Sequence, residues 1–452
     1  MTSRFHILQT TKLAIPLIIA QVGHIVTGMV DNMFLGKFFG ETEQAAGIVS
    51  NQIFTLLLVF EIGISFAITP QISDAHINRQ LSQKAALFKN GLLALFMVSL
   101  ICFVFFYFST PLIAALGQPG DVVSMAIPFF RVLALSIIPI SVFFVCKQYC
   151  EGLGYTKPSM YISIVGNLLN ILLNYFLIKG VMFFPNLGYM GSCWATFYAR
   201  CLMSLLFLLL IFLSPSLHPG SDFFRLKFSF RQSFQIIKVG LGSGFQFVFE
   251  VAAFVICGLM CGAFGKRAID AHGISMGIAA FTYMFGSGIS GAATIRVSQY
   301  RASQNLSEMR NAGLASFKLV LICMGFFALL FAFLHSYLPK FFSDSPEIIS
   351  LSSNLLLVAA FFQLFDGVQV TGLGVLRGME DIRYPTMITF IGYWIIAIPL
   401  AWLLAFRFQL GVYGVWFALC ASLIFVAFTL YFRFSRLTRR VGSVYSGQTM
   451  NQ

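Results

Sequence analysis

Twelve runs of about twenty apolar residues, set apart by short charged stretches, leave this chain few folds to adopt, because a helix needs about that many residues to cross the hydrocarbon core. The runs fall near 13–35, 45–69, 90–111, 125–147, 160–180, 187–213, 233–259, 268–292, 312–334, 350–373, 385–405 and 411–431. In lipid every backbone N–H and C=O must be satisfied within the protein, so runs of this length read as helices. They lack the ten-residue alternation of an outer-membrane barrel. Composition agrees: of 452 residues 58% are apolar and 10% charged, with 53 Phe against 16 Asp plus Glu, too little charge to cover a soluble surface. The expected fold is an all-α polytopic membrane protein with twelve transmembrane helices.

The net charge of +13 could suggest a nucleic-acid partner, but the cations are spaced along the chain and sort by side. With the N-terminus placed in the cytoplasm, Lys37, Lys179, Lys266, Arg267, Lys340 and Arg407 are the six outer cations among 29 Lys plus Arg. Arg131 and Arg200 fall within or near runs, and the remaining 21 lie on the cytoplasmic side. That asymmetry predicts both termini in the cytoplasm and a place in the cell's inner membrane, with lipid as partner and no nucleic acid. The first run has no small-residue cleavage pattern and ends in a polar stretch at Asp31, so no cleavable signal peptide is expected. The pairs Cys146/Cys150 and Cys257/Cys261 lie one helical turn apart inside runs and read as packing residues.

The longest connection, 214–232, is broken by Ser214-Pro215-Ser216 and His218-Pro219-Gly220 and lies near the midpoint of the chain. Small and polar residues recur across it. Gly40/Gly265, Gly63/Gly288, Ser65/Ser290, Thr69/Thr294 and Ser73/Ser298 are each 225 residues apart, Gly152/Gly378 and Gly166/Gly392 are 226 apart, and Gly188/Gly411 and Gly191/Gly414 are 223 apart. The expected organisation is a six-helix bundle at 1–213, a cytoplasmic linker at 214–232, a second bundle at 233–432 and a cytoplasmic tail at 433–452. Six crossings per half make these parallel repeats, the architecture of secondary transporters that rock about a central site.

Charge inside a membrane span is costly and marks a functional site by default. Asp31 ends the first run, with Thr27 and His24 on the same helical face. Glu250 follows Gln246 by one turn in the seventh run, and Asp366 follows Gln363 by nearly one turn in the tenth. No Lys or Arg shares these stretches, and an acid without a countercharge in a low-dielectric site binds a proton or a metal cation such as Na+. The competing reading is a hydrogen-bond anchor between helices. Glu61 stands between Phe60 and Ile62 and is open to either reading. Asn167, Asn170 and Asn174 form an amide ladder on one face of the fifth run, suited to coordinating a cation or joining helices. His24, His272 and His335 lack the spacing of a metal site.

The stretches TGMVDNMFLG (27–36), QYCEGLGYTKP (148–158), NLLNILLNYFLIKG (167–180), GFQFVFE (244–250) and FQLFDGVQVTGLGVLRGMED (362–381) together resemble the multidrug and toxic compound extrusion (MATE) transporters, in particular the NorM-type bacterial branch. The resemblance covers essentially the whole chain. It implies a twelve-helix antiporter expelling organic cations against inward Na+ or H+. It also implies ion-coupling and substrate roles for Asp31, Glu250 and Asp366, for Asn170 and Asn174 on the fifth helix, and for Thr196 on the sixth. In one branch an Asp replaces Asn174, so the N-terminal half here has one carboxylate fewer.

A cavity with acids and aromatic rings attracts amphiphilic organic cations. No nucleophile with a positioned base, phosphate-cradling loop or Walker sequence is present, so the chain is expected not to be an enzyme or an ATP-driven pump. It is expected to work as a monomer with no cofactor beyond the coupling ion. The alternative is a flippase for a lipid-linked saccharide, whose phosphate would call for a cavity cation, with Arg131 and Arg200 as candidates.

Overall fold

The computed structural model describes residues 2–117, 119–181 and 184–448. Among them twelve helices are long and apolar enough to cross a membrane: α1 Ser3–Phe38, α2 Glu41–Ile77, α3 Leu81–Phe108, α4 Gly120–Gly152, α5 Lys157–Lys179, α6 Met190–Leu213, α7 Phe230–Gly262, α8 Lys266–Ala302, α9 Leu306–Leu334, α10 Pro346–Gly378, α11 Arg383–Arg407 and α12 Gly411–Arg439. No described residue is in a strand. The α12 helix continues past 432, where the sequence suggested a tail, to Gln448. The last four residues of that expected tail lie outside the described residues.

Prolines explain where these helices depart from regularity, since each removes the N–H that would serve the carbonyl four residues earlier. The α2 helix breaks at Phe66-Ala67 ahead of Pro70, and α4 breaks at Ser136 ahead of Pro139. Around Pro399, α11 loosens into π-helical turns at Ile391–Ala397 and Leu403–Arg407. The hydroxyl of Ser422 donates to the Gly392 carbonyl at 2.7 Å and supplies an extra partner there.

Two repeat-related hydroxyls make corresponding contacts between helices in both halves. Ser50 donates to the Ala126 carbonyl at 3.2 Å, and Ser275, 225 residues later, donates to the Ser352 carbonyl at 3.2 Å. Thr69 donates to the Gln148 carbonyl at 3.2 Å, and Thr294 donates to the Gly374 carbonyl at 2.9 Å. Such bonds average only about 0.6 kcal/mol between membrane helices, so close packing contributes more to the architecture. A Cβ on Gly152 would lie 2.7 Å from Ile72, one on Gly378 would lie 2.9 Å from Val297, and one on Gly166 or Gly392 would strike Met203 or Val426. The matched Gly40 and Gly265, at φ 130° and 101°, let the chain turn into α2 and α8 through backbone that other residues rarely adopt.

The helices group into two compact units, Ile19–Gly244 and Met1–Ile18 together with Phe245–Gln452. The division therefore falls inside α1 and α7, at repeat-related places, and not in the connection 214–232. Small residues make this possible. A Cβ on Gly63 would lie 2.5 Å from the Gly244 Cα, so the start of α7 packs directly on α2. In the other unit a Cβ on Gly288 would lie 2.8 Å from the Ile18 nitrogen, so the start of α1 packs directly on α8. Pro16 lies two residues before the point where α1 changes unit. The connection itself is anchored: Lys89 Nζ donates to the carbonyls of Phe223 (3.0 Å) and Leu226 (2.7 Å), and Tyr149 donates to Leu217 (2.9 Å).

Each unit has its own apolar core, around Phe88, Phe129, Phe130, Phe143 and Phe207 in one and around Trp416, Tyr393 and Phe331 in the other. Leu213, Phe326 and Phe333 remain largely exposed. In water such a surface would aggregate, whereas against acyl chains it is matched to its solvent. Cys146, Cys150, Cys257 and Cys261 are buried thiols, and His272 is buried where Trp416 Nε1 donates to its Nδ1 at 3.2 Å.

Candidate functional site

The unit Ile19–Gly244 gathers Asp31 from α1, Asn170 and Asn174 from α5, and Thr196 from α6, all buried. Asn174 Nδ2 donates to Asp31 Oδ1 at 2.8 Å, and the Thr196 hydroxyl donates to Asp31 Oδ2 at 3.2 Å. Asn170 Nδ2 donates to the same Thr196 oxygen at 3.1 Å, while Asn174 Nδ2 also faces the Asn170 side-chain oxygen at 3.2 Å. Asn170 and Asn174 are one helical turn apart, so α5 presents both amides to one carboxylate. The Asn174 side-chain oxygen is buried with no hydrogen-bond partner, an acceptor still free for a proton donor or a cation. Thr27 does not join: its hydroxyl donates to the Gly23 carbonyl of its own helix at 3.0 Å. The side chain of His24 lies outside the described residues. Arg200, half-buried on α6, interacts electrostatically with Asp31 and Glu61. Its guanidinium sits 4.5 Å over the Phe54 ring and donates to the Ser136 hydroxyl.

The other unit gathers a second set from four helices. Glu250 on α7 accepts from Gln369 Nε2 on α10 at 3.0 Å. The Tyr393 hydroxyl on α11 lies 3.4 Å from the same Glu250 oxygen but 3.0 Å from Gln369 Oε1. It has one proton to give, and the shorter contact is the stronger. Glu250 Oε2 is buried with no hydrogen-bond partner. Asp366, buried on α10, is in electrostatic reach of Glu250, and Tyr283 on α8 is in reach of Glu250, Asp366 and Arg377. Gln363 accepts from the Thr282 hydroxyl at 2.9 Å, and the side-chain nitrogens of Gln363 and Gln246 are both buried without partners. Trp394 Nε1 donates to the Phe249 carbonyl at 3.1 Å and sets α11 against α7 beside Glu250.

All eight residues proposed from the sequence are buried, four in each unit. Sequence reasoning missed Gln369, Tyr393, Tyr283 and Arg377. Gln369 follows Asp366 by three positions, the spacing at which Gln363 precedes it, and this was the available signal. Arg377 had been counted among the cytoplasmic cations but is 5% exposed, with its guanidinium 5.8 Å from the Phe247 ring.

Twelve spans in two sequence-related repeats, with buried carboxylates in each, define a repeat-built α-helical membrane transporter. The model of the MatE family matches the chain twice, over residues 16–176 and 243–403, and the chain belongs to that family. A probable multidrug resistance protein NorM of Pseudomonas aeruginosa is 30% identical over 436 residues, covering 95% of this chain and 89% of the relative. The multidrug resistance protein MdtK of Yersinia pseudotuberculosis is 30% identical over 397 residues, covering 87% and 86%. Among solved structures, a MATE protein in complex with MaL6 superposes with a TM-score of 0.86 at 17% identity, covering 97% of both chains. A eukaryotic MATE transporter does so with a TM-score of 0.86 at 17% identity, covering 96% and 98%. These relatives and neighbours bear the names of transporters and resistance proteins, not of enzymes.

Proposed function

We propose that this chain is a secondary antiporter that exports amphiphilic organic cations in exchange for inward H+ or Na+. The observation that carries this reading is Glu250 Oε2, a buried carboxylate oxygen left without a donor while its partner oxygen is held by Gln369. An ionised carboxylate in that position is stabilised by an arriving cation, whether a drug, a proton or a metal ion, and the occupants compete. Entry of the coupling ion at Glu250 and Asp366 removes the attraction for the drug, which leaves outward, and release of the ion inward restores the charge. Linkage then requires drug and ion to weaken each other's binding equally. Asp31, Asn170, Asn174 and Thr196 form the second ion site, while Gln246 and Gln363 offer unpartnered amides to substrate. The names of the relatives, multidrug resistance proteins, support the substrate class.

The chain works as a monomer in the inner membrane with both termini in the cytoplasm, a placement supported by the Lys and Arg asymmetry. The connection 214–232 then lies on the cytoplasmic side, and lipid is its other partner.

The test is uptake of ethidium by proteoliposomes under a pH or Na+ gradient imposed separately. Exchange is expected with at least one gradient and without ATP, and is expected to be lost in Glu250→Gln/Asp366→Asn with the amount of folded protein unchanged. Full exchange by that double variant refutes the C-terminal coupling site. Failure to move any organic cation, with translocation of a lipid-linked saccharide instead, refutes the substrate class.

A further inference from the structure

Glu61 on α2 is a buried acid that the proposed cycle does not use and, unlike the buried Glu151 beside Lys147, it has no cation within ion-pair distance on its own helix. It has 0% exposure, and neither carboxyl oxygen has a hydrogen-bond partner. A carboxyl retained to join helices would hold at least one donor, and this one holds none. Nor does the fold need a side chain there: 225 residues later the other repeat has Gly286 at the same place on α8. The ionisable groups that interact with Glu61 are Arg200 from α6 and the Cys102 thiol from α3. Arg200 interacts with Asp31 as well. One guanidinium and two carboxyls are neutral together only when the carboxyls hold one proton between them. The other unit holds the same inventory at unrelated positions, Glu250 and Asp366 with Arg377.

We propose that Glu61 is a proton-binding site of the N-terminal repeat and that it shares one proton with Asp31, the two acids taking turns as the anion that balances Arg200. When Asp31 is ionised and held by Asn174 and Thr196, Glu61 carries the proton on a carboxyl oxygen. When that proton passes to a carboxyl oxygen of Asp31, Asp31 becomes neutral and the Glu61 carboxylate is the anion left to balance the guanidinium. The ligand is a proton and not a metal ion, because the proton bonds covalently to one oxygen and needs no further ligand, whereas a guanidinium in reach opposes a metal cation. The proposal rests on Asp31 being an ion-coupling acid and adds a second carboxyl to that function.

Infrared difference spectra of the full-length purified protein between pH steps read the carboxylic C=O stretch directly, without transport. At neutral pH the wild type is expected to show a carboxylic-acid band that is absent in Glu61→Gln, retained in Glu61→Asp, and lost in Asp31→Asn because Glu61 then ionises beside Arg200. Glu61→Gln that elutes as a monodisperse peak is expected to exchange tetraphenylphosphonium at least tenfold more slowly under a pH gradient. Superimposable wild-type and Glu61→Gln spectra, or exchange by Glu61→Gln at the wild-type rate, would overturn the assignment. A Glu61 band unaffected by Asp31→Asn would overturn the sharing. If the wild type exchanges no organic cation, the antiport reading falls, and the infrared comparison still decides whether the two acids share a proton.

Discussion

Gly63 lies where α2 and the start of α7 touch backbone to backbone, and replacing it with Ala puts the close approach to a direct test. The added Cβ would lie 2.5 Å from Gly244 Cα, 2.5 Å from the Ser243 carbonyl oxygen and 2.6 Å from the Gly244 nitrogen. None of these is a side chain that can rotate away, so the helices must separate by roughly 1 Å to reach ordinary contact distance. Overpacking of this kind costs about 1–3 kcal/mol, and a backbone-only clash belongs at the upper end. Against it stands the gain of about 1 kcal/mol from replacing Gly by Ala within a helix. The net expectation is a destabilisation of about 2 kcal/mol. Gly288→Ala, in the repeat-related place, should cost less, because its nearest contact is the movable Cγ1 of Ile18 at 2.4 Å, with the Ile18 nitrogen next at 2.8 Å. Gly325→Ala, with nothing within 4 Å of its Cβ, should be neutral or slightly stabilising. Thermal unfolding of the purified variants in one detergent should rank Gly325→Ala highest, then Gly288→Ala, then Gly63→Ala. Gly63→Ala melting at or above Gly325→Ala would refute the argument that backbone contact at this crossing holds the start of α7 in its unit.

Three further outcomes follow from named contacts. Gln369→Leu removes a bond to Glu250 and both contacts to Tyr393, whereas Tyr393→Phe leaves Gln369 on Glu250; ethidium exchange in proteoliposomes should therefore fall further in the first, and equal rates would count against this geometry. Thr196→Val keeps the side-chain shape but removes the donor to Asp31 Oδ2 and the acceptor for Asn170; hydrogen bonds to charged groups contribute about 1.5–3 kcal/mol, so exchange should fall about tenfold or more, and a wild-type rate would make the hydroxyl dispensable. Lys89→Met releases the carbonyls of Phe223 and Leu226, and limited trypsin digestion should then cut after Arg225 or Lys227 faster than in the wild type; an unchanged cutting rate would show that this anchor does not order the connection.

Hydropathy runs, small-residue spacing and unpaired acids are local properties of a chain, and they were enough to predict twelve helices, the repeat and the buried acids Asp31, Glu250 and Asp366, but not the partners of Asp31, since Thr27 bonds to its own helix. The spans were legible because lipid leaves the backbone one open-ended solution, a helix, whatever lies beside it. The Asn170/Asn174 spacing could be read because it depends only on helical pitch. Their convergence on Asp31 and Thr196 was implied only by family resemblance, since residues 143 and 165 positions apart are brought together by packing and not by pitch. The same limit hid Tyr393 and Gln369: an aromatic residue or an amide in a hydrophobic run looks like packing until a carboxylate from another helix is placed against it. It also hid the burial of Arg377, which sequence alone counted as a cytoplasmic charge. Where the two units divide was settled only in three dimensions, because continuous helices α1 and α7 carry no local break there, and which neighbour each half of a helix meets depends on Gly63, Gly240, Gly244 and Gly288 letting backbones approach.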